Sequence, residues 1–291
     1  MNECRIEAPA KINLTLDITG VRHDGYHILR TVMQTVTLCD YLLLRKTPSG
    51  GIQLKCDHEE LCCDETNLAC RAASAFFAYT DIPPVGVQIV IEKNIPLEAG
   101  LAGGSADAAA VLMGLNVLFD TGLSDRTLCE LGLPLGADVP FCIMGGTMQG
   151  EGIGEILEPL PSLPKCYFVI AKPESGVNTK EAYALFDREN PIRRPDNDMM
   201  VAALAAGSLE HIGNQLCNVL EGVCPLPEVS RIKQTMLECG ALGAAMSGSG
   251  SAVFGLFENK GDARHCLSIL NDHYGAVFLA KPCPHGAAIV E

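Results

Sequence analysis

Ile12, Leu14, Leu16 and Ile18 alternate with Lys11, Asn13, Thr15 and Asp17, the period-two pattern of a strand with one buried face. Lys11 and Asn13 are therefore expected together on its polar side. His23-Asp24-Gly25 reads as a turn, because aspartate and glycine tolerate turn backbone angles, and a second strand-rich stretch follows at about 29–44. The period then changes. Leu68, Ala72, Ala75, Phe76 and Tyr79 form one stripe of a helix over 67–79, with Asp64, Glu65 and Thr66 placed to cap it and complement its dipole. Val87, Ile89 and Ile91 return to strand alternation. A glycine-rich segment leads from them into a helix at about 105–119, ended by Gly122.

Beyond residue 160 the pattern predicts a strand at 167–172, helices near 179–186, 208–220 and 229–239, a strand at 251–257, a helix at 262–270 and a strand at 276–280. Strands and helices without regular βαβ alternation point to an α+β fold rather than a doubly wound sheet. Prolines at 159, 161 and 164 mark the expected boundary between domains at 1–160 and 161–291.

Composition narrows this by exclusion. With 48% hydrophobic and 19% charged residues, the 291-residue chain is expected to be ordered throughout. A formal charge of -14 argues against a nucleic-acid partner, which needs a clustered basic face. The apolar runs at 108–119 and 199–206 fall short of the roughly 20 residues that cross a bilayer, and residues 1–7 lack the apolar core of a signal peptide. A cytoplasmic protein without a membrane partner is the expectation. Its fourteen cysteines include no C-x-x-C pair and read as reduced thiols rather than disulfides or metal ligands.

The strongest local signal is Ile95-Pro96-Leu97-Glu98-Ala99-Gly100-Leu101-Ala102-Gly103-Gly104-Ser105-Ala106-Asp107, between a strand and a helix. Glycines let backbone approach an anion, and free amides at a helix start bind phosphate oxygens. The segment fits neither a Walker A loop nor the dinucleotide G-x-G-x-x-G pattern, and tight helix packing is an alternative reason for its glycines.

Its form, Pro-x-x-x-Gly-Leu-x-Gly-Gly-Ser, resembles the phosphate-binding loop of the GHMP kinases. Ala8-Pro9-Ala10-Lys11-Ile12-Asn13-Leu14 is similar to that family's N-terminal substrate motif, and Ala245-Met246-Ser247-Gly248-Ser249-Gly250-Ser251 to its third motif. The runs at 20–27 and 135–141 resemble the branch that acts on a cytidine diphosphate alcohol.

The resemblance implies a two-domain fold with mixed and antiparallel sheets and an active site at the domain interface. It implies ATP as co-substrate, with magnesium, and a cytidine diphosphate alcohol as small-molecule substrate. Asp138 is carried to the role of base and Lys11 to that of its orienting cation. Asn13, Tyr26, His27, Thr179 and Tyr183 fall to the substrate. Asn67, Lys93 and the loop Pro96, Leu97, Glu98, Ala99, Gly100, Leu101, Ala102, Gly103, Gly104, Ser105 and Ala106 fall to ATP. Read singly, Asp138 is equally a turn or cap residue, Lys11 a solvated lysine, and Tyr26 and Tyr183 packing groups. A homoserine- or mevalonate-type kinase and a catalytically silent relative stay open, as do monomer and homodimer.

Overall fold

Two long strands, β1 (Glu3–Val21) and β2 (His27–Thr47), pair antiparallel around a turn at 22–26 and form the frame on which the rest is built. The structure, a computed structural model, describes residues 1–48, 50–82, 86–189, 191 and 193–290. Along the chain come β3 (Ile52–Cys56), α1 (Leu68–Thr80), β4 (Gly86–Glu92), α2 (Gly103–Leu118), α3 (Asp125–Gly132), α4 (Val139–Met144), β5 (Thr147–Gly152) and β6 (Ile156–Pro159). Then follow β7 (Tyr167–Lys172), α5 (Thr179–Glu189), α6 (Asn197–Ala206), α7 (Leu209–Gln215), β8 (Cys217–Asn218), α8 (Pro227–Glu238), β9 (Gly243–Met246), β10 (Val253–Phe257), α9 (Lys260–Asn271), β11 (Ala276–Ala280) and β12 (Ala288–Ile289).

The strands make two sheets. The larger runs β12-β1-β2-β4-β3, with β5 and β6 extending from β2 and β8 joining β1; the smaller is β11-β7-β10-β9. Pairs β1–β8 and β3–β4 are parallel within the otherwise antiparallel large sheet, and the small sheet is antiparallel throughout. This is the α+β arrangement of mixed and antiparallel sheets. Strands β8 and β12 come from beyond residue 160 yet belong to the large sheet.

The alternation in β1 serves two cores. Ile6, Ala8, Ala10, Ile12 and Leu14 join the core that includes α1 and α2, whereas Leu16 and Ile18 pack with Val169, Val219 and Phe257 in a second. Helix α2 lies close on the strands because Gly114 has no side chain; a Cβ there would meet Ile6 Cδ1 at 2.7 Å.

One expectation needs correction. Lys11, Asn13 and Thr15 alternate out of the first core, but they too are buried, so β1 does not have a single buried face. The second half of the chain covers them: the Gly248 amide donates to Asn13 Oδ1 at 3.0 Å, and Thr15 Oγ1 bonds Asn197 Oδ1 at 2.6 Å.

The β1–β2 ladder shifts register between Pro9 and Lys11 and again between Asn13 and Thr15. Such irregularities bend a strand and re-aim its side chains. Here they bracket the two polar residues of the motif.

The helix expected at 208–220 is also broken. α7 ends at Gln215 because Asn218 turns inward, donating to the carbonyls of Met246 at 2.8 Å and Gly248 at 2.7 Å while accepting from Leu220 N.

Candidate active site

A cleft of about 1020 Å³ is lined by residues of β1, β2, the 96–105 segment, the start of α4, α5 and the 248–250 turn. Its floor on one side is the glycine-rich loop. α2 begins at Gly103, two residues earlier than expected, so Ser105 lies within the first turn rather than capping it. The cap position is Ala102 at φ 59, which makes no side-chain cap bond, and Glu98 at φ 49 and Gly100 at φ 72 share the left-handed conformation. The N-terminal amides of α2 stand at this cleft, the arrangement that binds anions.

This loop interlocks with the third glycine motif. A Cβ on Gly100 would lie 2.1 Å from the Ser247 carbonyl oxygen, and one on Gly248 would lie 2.9 Å from that of Gly100. Ser247 Oγ donates to the Gly100 carbonyl at 2.9 Å, and the Ala252 amide to that of Ala99 at 3.1 Å. Lys11 N in turn donates to the Leu101 carbonyl at 3.1 Å. The three motifs therefore meet through backbone.

Lys11 Nζ stands 3.5 Å from Asp138 Oδ2 and donates to Asn13 Oδ1 at 2.8 Å. The Lys11 side chain is 5% exposed and that of Asp138 36%, so the cation is enclosed while the carboxylate faces the cleft. Asp138 is the cap residue of α4 but makes no side-chain cap hydrogen bond. Its oxygens are thus not spent on the helix.

At the other end, His27 stacks on Tyr183, with ring centroids 4.6 Å apart and planes inclined by 30°. His27 Nε2 lies 2.9 Å from Asp187 Oδ1. Burial, reinforced by the charge of Asp138, pushes the Tyr183 phenol well above its ordinary value and keeps it protonated. Thr179 Oγ1 is 2.9 Å from Ser249 Oγ, joining α5 to the third motif. Tyr26 lines the cleft from the turn and is 60% exposed.

Three residues assigned by resemblance to ATP lie off the cleft wall. Asn67 caps α1, accepting from Ala69 N and donating to the Cys62 carbonyl. Ala106 lies within α2 and is fully buried. Lys93 is enclosed: its ammonium bonds Asp107 Oδ2 at 2.8 Å and also Asp40 Oδ2. Asp40 Oδ1 accepts from the amides of Asn94 at 2.6 Å and Ile95 at 2.7 Å, where the loop begins. Glu98 does reach the cleft, and its carboxylate lies against Gly176, where a Cβ would meet Oε2 at 2.6 Å.

Sequence reasoning did not single out Thr31, Asp187 or the 248–250 turn as site residues, although all line the cleft. The glycine run at 248–250 was a visible signal for the last. Thr31 and Asp187 carried none, since a strand threonine and a helix aspartate are ordinary surface choices.

The N-terminal domain model of the GHMP kinases matches residues 67–146 and their C-terminal model matches 200–276. The chain is 49% identical over 285 residues to a 4-diphosphocytidyl-2-C-methyl-D-erythritol kinase of Carboxydothermus hydrogenoformans, covering 97% of each chain. It is 46% identical over 280 residues to the protein of that name from Caldicellulosiruptor saccharolyticus, covering 96% of each. Among solved structures, a 4-(cytidine 5'-diphospho)-2C-methyl-D-erythritol kinase superimposes with a TM-score of 0.81 at 35% identity, over 95% of this chain and 98% of that one.

Proposed function

The chain belongs to the GHMP kinase family, and from that premise we propose that it transfers the γ-phosphoryl group of ATP to the 2-hydroxyl of 4-diphosphocytidyl-2-C-methyl-D-erythritol, a step of non-mevalonate isoprenoid precursor synthesis. The observation that carries this reading is the Lys11–Asp138 pair, 3.5 Å apart in a cleft between the glycine loop and the His27–Tyr183 stack.

Asp138 accepts the proton of the acceptor hydroxyl as it attacks. Lys11 orients that carboxylate and balances charge on the phosphoryl oxygens. Transfer of this kind passes through a loose transition state, so positioning and electrostatics carry most of the rate. The ATP phosphates lie along Pro96–Ser105, and the Lys93 ammonium supports that wall from behind, 3.0 Å from where a Cβ on Gly103 would stand, while Asn67 holds the start of α1. Magnesium accompanies the phosphates. A bound magnesium would take few protein oxygens, the Ser105 hydroxyl in the cleft lining among them, and would neutralise charge on the transferred group.

His27 and Tyr183 form the wall for the pyrimidine, with Tyr26 closing over it and Thr179 and Asn13 meeting polar atoms of the diphosphate alcohol. The division at residue 160 belongs to the same reading, with β8 and β12 returning to the first unit. No helix among the described residues is long and apolar enough to cross a membrane, and we place the reaction in the cytoplasm.

The test is phosphorylation by ATP and magnesium with three acceptors offered separately: the cytidine diphosphate alcohol, homoserine and mevalonate. Turnover of the first at a kcat/KM far above the others is expected. Preference for homoserine or mevalonate would replace the substrate while leaving the family in place.

A further inference from the structure

The hydrogen bonds around Asn13 can run in only one direction. Thr31 Oγ1 lies 2.6 Å from the Thr15 carbonyl oxygen, which can only accept, so the single hydroxyl proton of Thr31 is committed there. Thr31 must therefore accept from its other neighbour, Asn13 Nδ2, at 2.9 Å. With its nitrogen held on that side, Asn13 turns Oδ1 toward Lys11 Nζ at 2.8 Å and the Gly248 amide at 3.0 Å, two groups that can only donate. Lys11, Asn13 and Thr31 are all buried, where a polar group without its partner is costly.

Packing fixes the hydroxyl as well. Thr31 lies opposite Gly150 in the β2–β5 ladder, and a Cβ on Gly150 would come within 3.1 Å of the Thr31 methyl. The methyl occupies the space that the glycine leaves, which holds the hydroxyl toward Asn13.

From this we infer that Thr31 is a positioning residue for phosphoryl transfer, acting through the Asn13 amide on the ammonium of Lys11. The inference rests on the reading of Lys11 and Asp138 given above. It also restricts how Asn13 meets a ligand. Both acceptor sites of Oδ1 and one hydrogen of Nδ2 are used within the protein, so one N–H remains for the cleft. The ligand atom that meets Asn13 must be an acceptor, such as a phosphate or hydroxyl oxygen.

Thr31→Val keeps the branched shape and removes only the hydroxyl. With ATP, magnesium and 4-diphosphocytidyl-2-C-methyl-D-erythritol, kcat should fall on the order of 10- to 100-fold, the loss typical of a misplaced reacting group, with both KM values little changed. Thr31→Ser, which restores the hydroxyl, should recover most of that loss. Melting temperatures are recorded beside the kinetics, and Thr31→Ala replaces the valine variant if that does not fold. A kcat within about twofold of wild type in a variant lacking the hydroxyl, beside an impaired Asp138→Asn, would overturn the inference alone. So would a serine variant as slow as the valine one. An unimpaired Asp138→Asn would overturn the reading of the site, and with it the reason for positioning Lys11.

Discussion

Two lysines stand against the glycine loop, and their surroundings separate them. Lys11 is enclosed, but its counter-charge, Asp138, opens to the cleft. Lys93 is enclosed with both of its counter-charges, Asp40 and Asp107, which are buried as deeply as it is. A buried cation can therefore serve chemistry or architecture, and the accessibility of its partner decides which. The carboxylate facing Lys11 can meet a substrate hydroxyl, whereas those around Lys93 hold the chain on either side of the loop. Asp40 grips the backbone at Asn94 and Ile95, and Asp107 sits in α2 just beyond it.

The sharpest way to break this contrast is at Asp138. Asp138→Asn should lower kcat on the order of 10²- to 10⁴-fold while the melting temperature stays near wild type, as expected for loss of a placed base. If it lowers stability and spares kcat, Asp138 is architectural like Asp40. Next in size is Lys93→Met, which leaves two buried carboxylates without their cation. Removing one partner of a buried ion pair costs about 3–5 kcal/mol, and urea unfolding should show a loss of that order. A Lys93→Met protein as stable as wild type would mean that the cluster contributes nothing to the frame.

An effect of similar order comes from pH. Burial, opposed by the charge of Lys93, raises Asp107 from an ordinary 3.8 to about 7. Between those values the folded chain keeps a proton that the unfolded chain has released. The stabilisation is whole below the lower value and lost as pH rises through the upper one. Unfolding free energy should accordingly decline as pH rises toward 7 and level off above it, and Asp107→Asn should flatten that decline. An identical profile in both proteins would remove Asp107 from the account. The smallest signal is in combination: Lys11→Met added to Asp138→Asn should reduce kcat little beyond the single change, because the two act as a unit.

How far the sequence revealed this depends on distance along the chain. β7 and β11 match their expected ranges, and α1 lies within one residue, because period is local; its cap is Asn67, which accepts from Ala69 N, and not Asp64, Glu65 or Thr66 as expected. The loop was visible as a run of glycines. α4, β5 and β6 were not, since these short elements are set by packing rather than period, whereas α3 was missed although Ser124 caps it by accepting from Thr127 N, a local signal. Lys11 and Asp138 are 127 positions apart (138 minus 11), so only the fold brings them together. The burial of Asn13 and Thr15 was hidden for the same reason: their cover, Gly248 and Asn197, comes from the second half. Asp40 was a missed hint, a lone charge among Leu38, Cys39, Tyr41 and Leu42 in a strand.

The interlock of Gly100 with Gly248 has a temporal consequence. During synthesis the first glycine loop leaves the ribosome well before the segment that closes against it, and β12, which pairs with β1 at Ile6 and Glu7, follows later still. A partly made chain therefore has the sequence of the proposed nucleotide site without its shape. The cleft takes its shape only when the later segment has docked on the earlier one, and whatever then occupies it fastens the two together.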